Sequence, residues 1–182
     1  FGRSVAVSGD TIVVGAIDED SSTTGVNSTP NNLAMGAEKS AECNAWDYYE
    51  TIGGGMGASH FYNGLSGVQT HMTNTLNTPV EVLEMNYPLR VNEYALRNGS
   101  GGRGEHNGGE GLVRSYTLLQ DTHVTLLTER RSNQPWGINA EPGAAGENMI
   151  NDQMCPAKVS KFLKAGTSVT INTPGGGGYT KN

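Results

Sequence analysis

Leu89-Arg90-Val91-Asn92-Glu93-Tyr94-Ala95-Leu96 alternates apolar and polar residues at period two, as a strand does when one face meets a core and the other meets water. A helix would place its apolar residues three and four apart, so this stretch decides for sheet, with Leu89 and Val91 expected on the core face. Upstream, Thr78-Pro79-Val80-Glu81 has capping-box spacing, with Thr78 as cap, Pro79 at the first helical position and Glu81 returning to the cap amide. A short helix from Pro79 to Met85 follows, ending before Pro88. Downstream, the glycine segment from Gly99 to Gly111 is too irregular for helix or strand. Leu112 to Leu119 then reads as a second strand and Val124 to Leu127 as a third, joined by a hairpin turn at Asp121-Thr122. Past a loop spanning Gln134 to Asn151, Lys158 to Leu163 and Ser168 to Asn172 are expected to form a final β pair about a turn at Ala165-Gly166-Thr167. Pro174-Gly175-Gly176-Gly177-Gly178 closes the pattern, and a tight backbone crossing accounts for it best.

On the N-terminal side, the aromatic-rich run Trp46 to Ile52 reads as a strand entering the glycine loop Gly53-Gly54-Gly55-Met56-Gly57. The first 32 residues differ in style. Ser4 to Val7 and Thr11 to Ala16 read as a hairpin about Ser8-Gly9-Asp10, and the polar stretch that follows carries too little apolar surface to pack alone. The division is therefore a β-hairpin segment at 1–32 and a domain at 33–182. The fold class is mainly β, with antiparallel sheets, long Gly-rich loops and one or two short helices.

The composition agrees. The chain has 182 residues, long enough for one sizeable core. Its 26 glycines favour turns and close backbone approach over long helices. A net charge of -6 and a pI near 5.1 argue against a nucleic-acid partner, because phosphate backbones are bound by clustered Lys and Arg. No apolar run reaches the length of a membrane span. The chain starts at Phe1 without a signal-type region, which suggests a piece of a longer or processed chain. Cys43 and Cys155 are far apart and outside any paired spacing, so they read as isolated reduced thiols. Sequons at Asn27 and Asn98 are too short a pattern to decide the compartment.

Several motifs bear on chemistry. Gly53-x-Gly55-x-x-Ala58 and Gly99-x-Gly101-x-x-Gly104 match the dinucleotide pattern, but neither opens a helix in a βαβ unit. The acidic run Asp18-Glu19-Asp20 lacks the alternating ligands of a calcium loop and reads as a solvated turn. The four histidines, His60, His71, His106 and His123, have no metal-pair spacing. His71 stands out because Gln69-Thr70-His71-Met72-Thr73-Asn74-Thr75 gathers hydroxyls, an amide and an imidazole, a setting for a general acid or base. Glu81 and Glu84 fall on one side of the expected helix as an acid/base pair, against which stands the capping role of Glu81. Glu129-Arg130-Arg131 puts a carboxylate and two guanidiniums at a strand end, suited either to an anionic substrate or to a structural ion pair.

Two resemblances follow from wording. Phe1 to Ala16 resembles one FG-GAP repeat of integrin-type propellers, although no second copy is present. The second covers about 33–179 and rests on seven phrases in order: Tyr48-Tyr49-Glu50-Thr51-Ile52-Gly53-Gly54-Gly55, Thr70 to Glu84, Gly99-Ser100-Gly101-Gly102, Gly108 to Arg114, Glu129-Arg130-Arg131, Pro135-Trp136-Gly137, and Thr173 to Gly178. In that order they resemble the C-terminal part of hydantoinase B/oxoprolinase subunits. The resemblance implies an ATP-linked hydrolase of cyclic amides, in which a hydantoinase A-type ATPase partner uses ATP to phosphorylate a carbonyl oxygen. No cofactor is expected on this chain, and the family's metal-binding signature lies in an N-terminal portion with no counterpart here. The resemblance also implies His71, Asn74 and Glu129 as catalytic contacts and Arg114 and Arg130 as substrate contacts. The sequence departs from the family pattern at Asn107 and at Ala140-Glu141. The rival reading is a non-catalytic extracellular or self-assembling β-rich module, since unpaired sheet edges favour association. A homo-oligomer is expected on either reading, cytoplasmic under the first and extracellular under the second.

Overall fold

The computed structural model describes residues 5–8, 11–14, 31–39, 44–69 and 75–181. The elements are β1 Val5–Ser8, β2 Thr11–Val14, β3 Asn31–Ala37, β4 Trp46–Ile52, α1 Val80–Asn86, β5 Leu89–Arg97, β6 Gly111–Leu118, β7 Thr122–Thr128, β8 Glu147–Ile150, β9 Gln153–Cys155, β10 Lys158–Leu163 and β11 Ser168–Asn172. β1 and β2 pair as the expected antiparallel hairpin, with the turn at Gly9-Asp10 and the acidic run at 18–20 outside the described residues. β3 begins at Asn31, ahead of the boundary read at 33.

Two antiparallel sheets make the body, one ordered β10-β7-β3-β4 and the other β5-β6-β11-β8-β9. Their inward residues merge into one core. Leu33, Met35, Tyr48, Ile52, Val124 and Leu126 come from the first sheet, and Leu89, Leu112, Tyr116, Leu118, Val169 and Ile171 from the second. Period-two alternation produces this directly, because every second side chain of each strand points between the sheets. Burying each large aliphatic side chain contributes roughly 1.5–3 kcal/mol.

Both hairpins read from the sequence after Gly111 are corrected. β6 and β7 do not pair: β6 lies between β5 and β11, whereas β7 lies between β3 and β10. β10 and β11 likewise belong to different sheets. Each short turn carries the chain from one sheet to the other, because both strands have an apolar face and facing sheets bury both. The two corners lock together. Asp121 accepts hydrogen bonds from Lys164 Nζ and the Ala165 amide at 2.8 and 2.9 Å, and the Gly166 amide donates to the Leu118 carbonyl. The 134–151 loop is also shorter than expected, since Glu147 starts β8. The β8–β9 hairpin turns on Asn151 and Asp152 at φ 48 and 61, as a primed two-residue turn requires.

The helix runs Val80–Asn86 with Pro79 at its cap and no side-chain cap hydrogen bond, which replaces the expected capping box. Thr78 is turned instead to the Tyr48 hydroxyl. Glu84 accepts from the Val91 amide at 2.8 Å, which ties the helix to β5. β5 carries an irregularity between Val91 and Glu93, and only Leu89 of the two expected core residues is fully buried.

The glycine-rich segments cross one another as extended chains laced through backbone groups. The Gly55 amide donates to Pro174, Gly109 to Met56, Gly176 to Gly109 and Gly102 to Gly176, at 2.8–3.0 Å. Within both dinucleotide-like patterns a glycine is packed against backbone, since a Cβ on Gly55 would collide with the Gly109 carbonyl and one on Gly101 with the Gly108 carbonyl. Gly176 is required for room, since its φ is not positive while a Cβ there would fall inside the Met56 carbonyl.

Glu110 ties the Gly99–Gly101 turn to this crossing. Its carboxylate accepts from the Ser100 amide and hydroxyl at 2.6 and 2.9 Å and from the Gly101 amide at 3.2 Å. Burial pushes its pKa up, but the Ser100 donors and the Gly101 and Gly99 amides outweigh it and hold the carboxyl below its ordinary value. Because the folded pKa is depressed, this stabilisation is present above the unfolded pKa and is lost as pH falls through the folded one. Glu110→Gln is expected to flatten the acid limb of the stability profile. Urea unfolding across about pH 3–6 checks this, and an acid limb as steep as that of the parent chain contradicts it.

Candidate functional site

Parity along β4 and β6 places two charges in the core. Glu50 sits inward between Tyr48 and Ile52, and Arg114 sits inward between Leu112 and Tyr116, so the opposite charges meet between the sheets. Arg114 is fully buried and Glu50 nearly so. Arg114 Nε lies 3.2 Å from Glu50 Oε1, and Nη2 lies 3.4 Å from Oε2. The Tyr116 hydroxyl donates to Glu50 Oε1, and the Tyr48 hydroxyl donates to Oε2 at 2.7 Å. A buried ion pair survives its desolvation cost only with such further hydrogen bonds.

Burial, then the charge of Glu50, raises the pKa of both Tyr48 and Tyr116. Burial alone would lower that of Arg114, but the oxygens of Tyr116 and Glu50 outweigh it and raise it. At neutral pH the tyrosines are therefore neutral donors and the guanidinium is charged.

The network leads outward to an open groove of about 600 Å³ lined by residues that include Val68, Gln69, Thr75, Leu76, Asn77 and Tyr94. Asn77 Nδ2 donates to Glu50 Oε2 at 3.0 Å and to the Thr51 carbonyl at 3.2 Å. The Tyr94 hydroxyl donates to Asn77 Oδ1 at 3.2 Å, and the Tyr94 ring lies 4.1 Å from the Arg114 guanidinium carbon. Gln69 Nε2 also donates to the Thr51 carbonyl, at 2.7 Å.

His71 and Asn74 lie outside the described residues, while Gln69 and Thr75, which flank that stretch in sequence, both line the groove. Arg114 lies behind the groove wall and does not face solvent. Glu129 and Arg130 lie elsewhere, at the end of β7. The Glu129 carbonyl accepts from Arg131, the Arg130 carbonyl accepts from Gly146, and Arg130 has φ 56. Arg131, not Arg130, is the organised guanidinium there. It donates to Asn148 Oδ1 at 2.8 and 3.2 Å and to Asn31 Oδ1 at 2.5 Å, which favours the structural reading of that triplet.

Among the described residues no group of three His, Cys, Asp or Glu is placed to hold a metal, and no helix is long and apolar enough to cross a membrane. Sequence reasoning passed over Glu50, Asn77, Tyr94 and Tyr116. The signal for the first was a carboxylate at inward parity within an otherwise apolar strand face.

A family profile described as Hydantoinase B/oxoprolinase matches residues 9–182. 5-Oxoprolinase 1 of Arabidopsis thaliana is 41% identical over 158 residues, covering 84% of this chain and 12% of that protein. 5-Oxoprolinase of Dictyostelium discoideum is 43% identical over 155 residues, covering 82% of this chain and 12% of that protein. The chain thus spans about an eighth of the length of these relatives. The crystal structure of an ATP-dependent caprolactamase from Pseudomonas jessenii aligns with a TM-score of 0.60 at 22% identity, covering 87% of this chain and 30% of that one, a likeness of fold.

Proposed function

The chain belongs to the hydantoinase B/oxoprolinase family, and from that premise we propose that it works as the C-terminal part of an ATP-linked cyclic-amide hydrolase of B-subunit type. The observation that carries this reading is the family match running through both sheets and the groove between Gln69 and Tyr94. In this reading the groove belongs to the working site, with His71 and Asn74 as polar contacts and a hydantoinase A-type ATPase as partner in a cytoplasmic assembly. The partner moves the γ-phosphoryl group of ATP to the amide oxygen. Water then adds to the activated carbon and the ring C–N bond breaks, the nitrogen leaving as a protonated amine and the carbon remaining as an acyl phosphate, which a second water hydrolyses to the ring-opened acid and phosphate. This chain's share is to position the ring and to supply donors to the charge that develops on its oxygens.

The FG-GAP-like wording of 1–32 overlaps the family match from residue 9 onward. We therefore read the hairpin as part of the same protein's β architecture rather than as a propeller blade.

The test is ring opening of 5-oxoproline and hydantoin by the protein purified together with its ATPase partner. The expected result is ATP-dependent opening that is lost in His71→Ala. A folded sample without turnover contradicts the reading and favours a non-catalytic β-rich module.

A further inference from the structure

We propose that Tyr94 is the specificity-determining wall of the groove and that Glu50, acting through Asn77, is the positioning residue that holds it. This rests on the preceding reading of the groove as part of the working site. Tyr94 is half exposed on the groove side, yet it is fixed at two points. Its ring lies 4.1 Å from the Arg114 guanidinium carbon, and its hydroxyl donates to Asn77 Oδ1 at 3.2 Å. Asn77 is fixed in turn, since its amide nitrogen serves Glu50 Oε2 and the Thr51 carbonyl while its oxygen serves Tyr94. Glu50 is held by Arg114, Tyr116 and Tyr48 from both sheets. Tyr94 on β5 and Asn77 on the loop before α1 are therefore set by one buried carboxylate.

The described lining bears no charged side chain. Selection falls on the Tyr94 ring and the shape beside it. A wall that is already fixed loses little freedom when a ligand packs on it. The guanidinium on the inner face draws the ring's electron density inward. The outer face then suits a flat, uncharged, polarised group better than a cation, which prefers an electron-rich ring.

The experiment compares Tyr94→Leu, Tyr94→Phe, Glu50→Ala and Glu50→Gln in the full protein assembled with its ATPase partner, using hydantoin and an open-chain amide of similar size. Tyr94→Leu is expected to raise KM for hydantoin roughly three- to tenfold with kcat nearly unchanged, and to alter KM for the open-chain amide less. Tyr94→Phe, which keeps the ring but cuts the tie to Asn77, is expected to fall between. Glu50→Ala is expected to raise KM, with partial rescue by Glu50→Gln, which keeps an acceptor for Asn77. A second measurement follows backbone amide shifts of the full chain on adding hydantoin, with movement expected at Val68, Gln69, Leu76 and Asn77 and weakened in Tyr94→Leu. Turnover with unchanged KM in Tyr94→Leu overturns the role of Tyr94 and leaves the hydrolase reading standing. Groove shifts that weaken in Tyr94→Leu without any ATP-dependent turnover uphold Tyr94 and overturn the hydrolase reading. Neither shifts nor turnover overturns both.

Discussion

Gly176→Ala is expected to destabilise the chain by more than about 4 kcal/mol, a large share of the roughly 5–15 kcal/mol that holds an ordinary domain folded. The added methyl would fall inside the Met56 carbonyl and beside the Gly57 amide. Both neighbours are backbone, so no side chain can rotate away. The same residue also links Gly109 and Gly102 through its own amide and carbonyl, so any shift that relieves the clash breaks hydrogen bonds on both sides. Gly99→Ala is the control. Gly99 has φ +77 with nothing within 4 Å of the added carbon, so it should cost only the left-handed strain of about 1–2 kcal/mol. Urea unfolding followed by circular dichroism separates the two. A Gly176→Ala chain as stable as Gly99→Ala would contradict the crossing as described.

The second large effect concerns the ion pair between the sheets. Glu50→Ala is expected to cost about 3–5 kcal/mol, because it leaves the Arg114 guanidinium buried without its counter-ion. It also removes the acceptor of Tyr48, Tyr116 and Asn77. Arg114→Met combined with Glu50→Gln removes both charges and keeps an acceptor oxygen for the hydroxyls. That double variant is expected to be more stable than the sum of its single changes predicts, with a coupling of about 2 kcal/mol or more. Strict additivity in the cycle would show that the pair contributes no more than its separate parts.

Much of the fold was legible because period-two alternation reports which residues face a core. Leu89 to Leu96, Leu112 to Leu119 and Trp46 to Ile52 became strands close to their expected bounds. Alternation does not report which strand lies alongside, so Asp121-Thr122 was read as the turn of a hairpin when this corner carries the chain between sheets. Only the facing of two apolar surfaces distinguishes these outcomes, and that is a long-range fact. β8 was missed because Glu147 to Ile150 is short and mixed, although Asn151-Asp152 was a turn signal.

The stretch Gln69 to Thr75 was singled out for its polar groups, and its described members Gln69 and Thr75 line the groove. The groove's fixing by Glu50 was not visible, since a buried carboxylate needs a cation from a strand 64 positions away. Arg114 was read as a substrate contact for the same reason, because an arginine on a strand gives no sign of which face its partner occupies.

The most direct test of the central claim is a single reaction that follows ADP and ring-opened product together, with the ATPase partner present and this protein either supplied or omitted. The account predicts that product forms only when both proteins and ATP are present, rising in step with ADP. Ring opening that proceeds equally without this protein, or ADP formation with no product when it is folded and present, would contradict it.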